Sequence, residues 1–116
     1  MGNPEKENPA NRKVRVSLQA LSDIDKITGY IANVNHQPEN AIRVGDRIFD
    51  TFQRIEKNPL AFPECESLQT KKKFYRKALC QSWLIIFKIK PEEMLILGII
   101  HGKRKPSRLK TYKKVK

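Results

Sequence analysis

Cysteine and histidine are scarce in this chain. The two cysteines, Cys65 and Cys80, and the two histidines, His36 and His101, are scattered along 116 residues without the spacing of a zinc site. Two cysteines give no disulfide framework, so we predict free thiols in a reducing, cytoplasmic compartment. Neither cysteine has a neighbouring histidine in the sequence that would activate it as a nucleophile. We therefore expect no metal site and no cofactor.

Long apolar runs are also missing. The two longest, 83–87 and 94–100, fall far short of the roughly 18 residues that a membrane-spanning helix needs. The first 13 residues contain no apolar stretch of the kind that a secretory signal requires. We therefore predict no membrane association. Because residues 1–12 are rich in Asn, Pro and Glu, we expect them to form a disordered lead-in.

Acidic residues are rare in the C-terminal part of the chain. Residues 71–116 contain 15 Lys or Arg and 2 Asp or Glu, whereas residues 1–70 contain 9 and 10. The formal net charge of +12 is therefore carried by one end of the sequence. Such a field attracts polyanions and raises the rate of encounter with them. This indicates a nucleic acid or an acidic protein as a partner, the alternative being a surface that only keeps the protein in solution.

Two amphipathic helices are predicted in the first half, after a short strand over residues 14–18. Ser17 is the expected N-cap of the first helix, and Pro38 fits the first turn of the second. Apolar residues recur at three- and four-residue steps, as in helices that bury one face. The first stripe is Leu21, Ile24, Ile27, Ile31 and Val34, and the second is Ala41, Val44, Ile48, Phe52 and Ile55, widened by Ile42 and Phe49. A connection of about four residues should make them an antiparallel hairpin.

Strand patterns dominate the second half. Residues 58–73, with two prolines and the Lys71–Lys73 run, are predicted to form a loop, and strands are predicted over 74–79, 83–89 and 94–101. The last two strands are apolar at both odd and even positions, so both of their faces are apolar. This is typical of central strands with both faces covered. The order β-α-α-β-β-β predicts an α+β fold in which a long antiparallel helical hairpin packs on an antiparallel β-sheet.

The predicted domain spans residues 13–103 and is followed by a basic tail, residues 104–116. Leu109, Tyr112 and Val115 are spaced three apart in this tail. That spacing makes part of the tail a candidate for a helical turn docked on the domain, the alternative being simple disorder.

At this point the chain resembles the RelE/ParE superfamily of toxins from bacterial type II toxin–antitoxin modules, also known as plasmid-stabilisation proteins. The resemblance covers about residues 14–109 and consists of segments in the family's order. These segments are the strand, cap and first helix from Val16 to Ile24 with Tyr30 and Ile31, the helix end Ile55 to Pro59, Arg76 before the strand Trp83 to Ile89, and the ending Ile99 to Arg104 with its His-x-x-Arg step.

The resemblance implies growth inhibition, with neutralisation by an antitoxin encoded alongside. Two mechanisms occur in the family. RelE-like members cleave messenger RNA on the ribosome, whereas ParE-like members poison DNA gyrase. The long helices and the His101-Gly102-Lys103-Arg104 ending favour the ParE-like mechanism. The RelE-like nucleases also place an arginine where this chain has Leu84, and the loss of that cation weakens the nuclease hypothesis. A generic basic nucleic-acid-binding module is the remaining alternative.

A nuclease of this type would need a general base, a cation at the phosphorane and a general acid. The candidate catalytic residues, if the chain is a nuclease, are Tyr75, Arg76, His101, Arg104 and Tyr112. Arg104 would hold phosphate with two hydrogen bonds, and His101 would act as the acid or base. The alternatives are that His101 is a strand-end residue bonded to the backbone, and that Tyr75 packs in the core.

Cationic side chains on the loop, the strands and the tail are the predicted contacts to nucleic acid or antitoxin. The predicted partners are a cognate antitoxin and either gyrase or the ribosome with its messenger RNA. The candidate binding residues are Lys71, Lys72, Lys73, Arg76, Lys77, Lys103, Arg104, Lys105 and Arg108.

Overall fold

The chain folds into a four-stranded sheet that carries two long helices on one face. A computed structural model describes residues 12–102 and 108–115. The elements follow one another as β1 (Lys13–Val16), α1 (Leu18–Gly29), a π-helical turn (Tyr30–Val34), α2 (Pro38–Lys57), 3₁₀ turns at Pro59–Ala61 and Glu66–Leu68, β2 (Tyr75–Cys80), β3 (Trp83–Ile89), β4 (Glu93–His101) and α3 (Leu109–Tyr112). The predicted α+β order is confirmed, and α3 is added to it.

Ser17 begins α1 as predicted and also attaches the helix to the sheet. Its hydroxyl accepts a hydrogen bond from the Ala20 N–H at 3.1 Å, which satisfies one free amide of the first turn. The same hydroxyl donates to the Leu97 carbonyl, and the Ser17 N–H donates to the Ile96 carbonyl. The start of α1 is therefore fixed over the middle of β4.

The helices bury a narrower stripe than the sequence predicts. On α2 the inner stripe is buried as expected, and Pro38 occupies the first turn. However, Leu21 and Val34 of the first stripe are exposed, and so are Ile42 and Phe49, which were predicted to widen the second stripe. The periodicity finds the apolar side of a helix but not its width. Here the helices pack on the sheet along one stripe only, which leaves the outer side of the hairpin open to solvent.

The sheet has the strand order β1-β4-β3-β2. Strands β2, β3 and β4 form the expected antiparallel meander, with Ala78 opposite Ile85 and Ile85 opposite Ile99. Strand β1 pairs in parallel with β4, so the sheet is mixed rather than antiparallel throughout. A pairing between residues 14 and 94 has no local signal in the sequence, and its direction is set by the path of the whole chain.

Both faces of the central strands are covered, as their apolar pattern predicts. The helices cover one face, which we call the helix face, and the C-terminal segment (residues 108–115) covers part of the other, which we call the tail face. A bulge between Ile86 and Phe87 shifts the register against β4. The helix face carries Ala78, Ile85, Phe87, Met94, Ile96 and Ile99, and the tail face carries Tyr75, Ile86, Leu95, Leu97 and Ile100.

The described part of the predicted tail packs on the sheet. Leu109 and Tyr112 lie one helical turn apart in α3 and are both buried against the tail face. The tail therefore contains the docked helical turn that the spacing of its apolar residues indicates. The predicted lead-in lies outside the described residues except for Arg12, whose Nη1 donates to the Lys90 carbonyl at 3.0 Å.

Candidate functional site

A carboxylate is buried where α1 meets β4 and the C-terminal segment. The side chain of Asp23 is only 5% exposed, yet its two oxygens accept four hydrogen bonds. The donors are the Ile99 N–H at 2.8 Å, the Gln19 amide at 3.0 Å, and Arg108 Nη1 and Nη2 at 2.8 and 3.1 Å. A buried charge needs this degree of pairing. The Asp23–Arg108 ion pair thus joins three parts of the chain that are far apart in sequence.

Arg108 is held by the strand as well as by the carboxylate, because its Nη2 also donates to the Ile99 carbonyl at 3.1 Å. Burial of the guanidinium opposes its charge, but the hydrogen bonds and charge of Asp23 outweigh burial, so the pKa of Arg108 is raised. Arg108 was predicted as a binding residue. Its guanidinium is instead engaged in fixing the C-terminal segment to the domain.

Gly98 provides the space in which Tyr112 lies. A side chain at position 98 would overlap the Tyr112 hydroxyl, and its Cβ would lie 2.8 Å from Tyr112 Cζ and 3.1 Å from Asp23 Oδ2. Among the residues that the structure describes, the buried Tyr112 hydroxyl has no hydrogen-bond partner. Burial raises the pKa of this phenol, although the charge of Arg108 partly opposes the rise. Only glycine fits this close contact between strand and tail.

The predicted catalytic residues do not converge. His101 lies on the helix face, with its ring edge-on to Trp83 at 6.3 Å between centroids. Arg76 also lies on the helix face, opposite Phe87. Tyr75 and Tyr112 are buried on the opposite face of the sheet. The four described candidates therefore do not form one catalytic centre, and Arg104 lies outside the described residues.

Two of these candidates have structural roles in the described residues. The Arg76 guanidinium donates to the carbonyls of Phe62 and Lys73, at 2.8 and 2.7 Å, and so fixes the ends of the loop before β2. Tyr75 is 2% exposed, and burial raises the pKa of its phenol. Lys88 lies 5.5 Å from the centre of the Tyr75 ring. Core packing, the alternative considered for Tyr75, is what the structure shows.

The predicted binding lysines differ in availability. Lys71, Lys72 and Lys73 are exposed on the loop, and the Lys73 backbone has a φ of 55°. Lys77 Nζ lies 3.0 Å from a carboxylate oxygen of Glu66. Lys103, Arg104 and Lys105 lie outside the described residues. The loop lysines are therefore the part of the predicted basic surface that is both described and free to meet a partner.

The outer side of the helical hairpin is apolar and open. A shallow groove of about 740 Å³ runs between α1 and α2, and Ile42 and Phe49 line it while remaining 65% and 49% exposed. Asp25 and Asp46 also line the groove. A surface of this kind, apolar at its centre and polar around it, is typical of a protein-binding site.

Strand β2 forms one edge of the sheet and is only half covered. The loop residues Pro63 and Cys65 exchange backbone hydrogen bonds with Lys77 and Tyr75. Leu79, two residues further along the same edge, has a 67% exposed side chain. The end of β2 therefore presents backbone groups to which another strand can be added.

The described residues contain neither a metal-binding cluster nor a helix that could span a membrane. Over 12–102 and 108–115, no group of three or more His, Cys, Asp or Glu side chains is arranged to hold a metal ion. Within the same residues, no helix combines the length and hydropathy that crossing a membrane requires. Cys65 and Cys80 are free and buried, and burial raises the pKa of Cys65.

Sequence reasoning missed Asp23 and Gly98 as key positions. In the sequence, Asp23 is only a charged residue near the start of α1, where the helix dipole favours it. The signal for its actual role is that it directly precedes Ile24, on the buried side of α1. Gly98 interrupts an apolar strand, which often marks a bulge or a close approach of another segment. Neither signal identifies Arg108 as the partner.

Comparison with known proteins places the chain in a family. Residues 14–106 match the model of the ParE toxin of the type II toxin–antitoxin system parDE. A chromosomal ParDE toxin–antitoxin system from P. aeruginosa has the same fold, with a TM-score of 0.63 and 17% identity over 79% of this chain and 97% of that one. The RelBE2 toxin–antitoxin complex from Mycobacterium tuberculosis follows with a TM-score of 0.55 and 16% identity over 82% and 95%. No curated protein matches the chain. The chain belongs to the ParE toxin family of type II toxin–antitoxin systems.

Proposed function

We propose that this toxin inhibits growth in the cytoplasm by binding DNA gyrase and is neutralised by a cognate antitoxin. The observation that carries the gyrase assignment is the separation of the nuclease candidates. His101 and Arg76 lie on the helix face of the sheet, whereas Tyr75 and Tyr112 are buried on the tail face. Acid–base catalysis of RNA cleavage needs its groups within hydrogen-bond reach of one phosphate.

Leu84 supports the same proposal. It is partly buried and packs with the tail-face cluster of apolar residues. The nuclease-type relatives that the sequence resembles carry an arginine at this position, whose charge would stabilise a crowded anionic phosphate. A leucine provides apolar contact and no charge. The match of residues 14–106 to the ParE toxin model is consistent with this.

The groove between α1 and α2 is the proposed binding site of the antitoxin. Ile42 and Phe49 offer the large exposed apolar side chains that anchor protein interfaces. The open end of β2 at Leu79 would accept an extended segment of the same partner through backbone hydrogen bonds. The excess of positive charge on residues 71–116 would speed association with an acidic chain.

Inducing the protein in bacterial cells without an antitoxin tests the target. We expect DNA breaks and induction of the SOS response, together with stalled cleavage complexes when the purified protein is added to gyrase and plasmid. We also expect His101→Ala to remain toxic, because a binding mechanism does not use its proton transfer.

Thermal melting of His101→Ala shows whether the variant is folded, which separates lost chemistry from lost structure. Messenger RNA cut within codons, with no DNA breaks, would identify a RelE-like endoribonuclease instead. A folded His101→Ala protein without toxicity would point the same way, since removing a general acid or base costs about a hundred- to ten-thousand-fold in rate.

A further inference from the structure

Lysines from two distant parts of the sequence lie side by side on this protein. We propose that Lys71, Lys72 and Lys73 of the loop and Lys110, Lys113 and Lys114 of the C-terminal segment form one surface that binds the phosphate backbone of nucleic acid. We call it the lysine surface. It goes beyond the proposed gyrase binding, and it requires the C-terminal segment to be docked on the sheet.

Direct contacts bring the two groups of lysines together. Helix α3 packs against the Glu66–Leu68 turn through Leu109 and Tyr112, which share a buried cluster with Leu68. Lys113 Nζ donates to the Gln69 carbonyl at 3.3 Å. Gln69 is two residues before Lys71, so this hydrogen bond places Lys113 next to the start of the loop lysines. All six lysine side chains are in exposed residues.

Three interactions hold the C-terminal segment, and with it Lys110, Lys113 and Lys114, against the domain. The Asp23–Arg108 ion pair fixes the beginning of the C-terminal segment. Leu109 and Tyr112 bury the middle of it against the tail face, with Gly98 leaving room for the tyrosine ring. Without this docking, Lys110, Lys113 and Lys114 would be on a free chain end, and their charges would be spread over a large volume.

The composition of the surface favours nucleic acid over an acidic protein. Lysine is depleted in protein–protein interfaces, which are anchored by aromatic, methionine and arginine side chains. Protein–nucleic acid interfaces are much more positively charged, and most of their contacts go to phosphates without reading sequence. The open apolar anchors of this protein, Ile42 and Phe49, lie instead on the helical hairpin. The two surfaces are therefore suited to different partners.

Fluorescence anisotropy with a short labelled duplex DNA of arbitrary sequence tests the proposal, repeated over a range of salt concentrations. We expect Lys110→Gln/Lys113→Gln/Lys114→Gln to weaken binding at low salt by at least about tenfold and to flatten the salt dependence. The slope of log K against log salt should fall by up to about 2.7, since each lost phosphate contact removes about 0.9. The loop variant Lys71→Gln/Lys72→Gln/Lys73→Gln should weaken binding and flatten the salt dependence to a similar extent.

The matched control is Lys13→Gln/Lys26→Gln/Lys57→Gln, which removes the same charge from exposed positions in the N-terminal half. It should leave the slope nearly unchanged. An equal loss in the control and in the two test variants would mean that DNA responds only to net charge, and would overturn the lysine surface.

A second variant separates geometry from charge. Gly98→Ala removes no lysine but places a methyl group where the Tyr112 hydroxyl lies, and should release the C-terminal segment. Gly45→Ala is its control, because a Cβ there meets only Thr28 Cγ2 at an ordinary 3.8 Å. Faster trypsin cleavage after Lys110 or Lys113 would report the release. If Gly98→Ala fails to fold, Tyr112→Ala removes the same anchor without changing charge.

We expect the released variant to flatten the salt dependence by at least about half as much as the C-terminal lysine triple variant does. Unchanged DNA affinity in a variant whose tail is released would overturn the proposal, because docking would then be irrelevant. A polyglutamate chain that competes as strongly as DNA, with the same dependence on the six lysines, would show an acidic-protein site and would also overturn it.

Discussion

Asp23 is the buried charged residue of the part of the chain that the structure describes. Its carboxylate is almost fully buried, and such a charge is stable only when several donors surround it. Two of those donors, the Ile99 N–H and the Gln19 amide, are near in the fold regardless of the tail. The other two come from Arg108, whose side chain is 32% exposed. The pair therefore couples tail docking to the integrity of the α1–β4 contact.

Arg108→Ala should lower the free energy of unfolding by about 2–3 kcal/mol, because it leaves the Asp23 charge buried with half of its donors. Lys110→Ala, at an exposed position two residues further along, should change it by less than about 0.5 kcal/mol. Urea unfolding at neutral pH measures both. Equal stability of the two variants would mean that water replaces Arg108 at Asp23.

At the scale of elements, the parallel pairing of β1 with β4 depends on a side-chain bridge as well as on the backbone. Arg15 on β1 donates from Nε and Nη2 to the carboxylate of Glu93 on β4, at 2.7 to 2.9 Å. The hydrogen bond from Arg15 is the main cause that lowers the pKa of Glu93, with Lys90 contributing and burial opposing. A four-residue edge strand gains orientation from this bridge.

The lowered pKa of Glu93 predicts a pH dependence. Since the folded pKa lies below the unfolded value, the bridge stabilises the fold above the unfolded pKa, near 4.5, and this contribution is lost as pH falls through the folded pKa. Glu93→Gln should therefore be slightly less stable than the wild type at pH 7, and the difference should shrink towards zero in acid.

Thermal melting from pH 7 down to pH 3 would follow this difference. Glu92→Gln is the control, because Glu92 is 65% exposed and its 3.4 Å ion pair with Lys90 is weak at such exposure. A gap between wild type and Glu93→Gln that widens in acid would contradict the assigned direction.

At the scale of the whole molecule, the apolar groove and the lysine surface lie on separate elements. The exposed apolar side chains Ile42 and Phe49 lie on the hairpin, whose sequence carries nearly balanced charge. The lysines lie on the loop and the C-terminal segment. A toxin that must be bound by an antitoxin and also meet a second partner benefits from this separation, since each surface can change without altering the other.

Phe49→Ala should weaken antitoxin binding by about 2 kcal/mol or more, because an aromatic anchor at the centre of an interface contributes most of its energy. Leu60→Ala, at a similarly exposed apolar residue outside the groove, should have little effect. Calorimetric titration with the purified antitoxin measures both. If Phe49→Ala leaves the affinity for the antitoxin unchanged, the antitoxin binds outside the groove between α1 and α2.

The sequence by itself determined the main helices and strands and their order. Local signals predicted three of these features. The cap hydroxyl predicted Ser17 at the start of α1, the fixed φ of proline predicted Pro38 in the first turn of α2, and apolar side chains at both odd and even positions predicted the Trp83–Ile89 strand. The spacing of Leu109 and Tyr112 likewise indicated a docked turn. These features depend on interactions within a few residues, which a linear pattern records.

Only the tertiary structure decided which polar residues meet. The parallel β1–β4 pairing, the exposure of Phe49 and the pairing of Asp23 with Arg108, 85 residues away, all depend on where the chain returns to itself. The same holds for His101 and Tyr112, which look like one site in the sequence but lie on opposite faces of a sheet. Alternation along a strand gives the face of a residue only until a bulge shifts it. On β4 such a shift puts Ile96 and Ile99, three residues apart, on the same face.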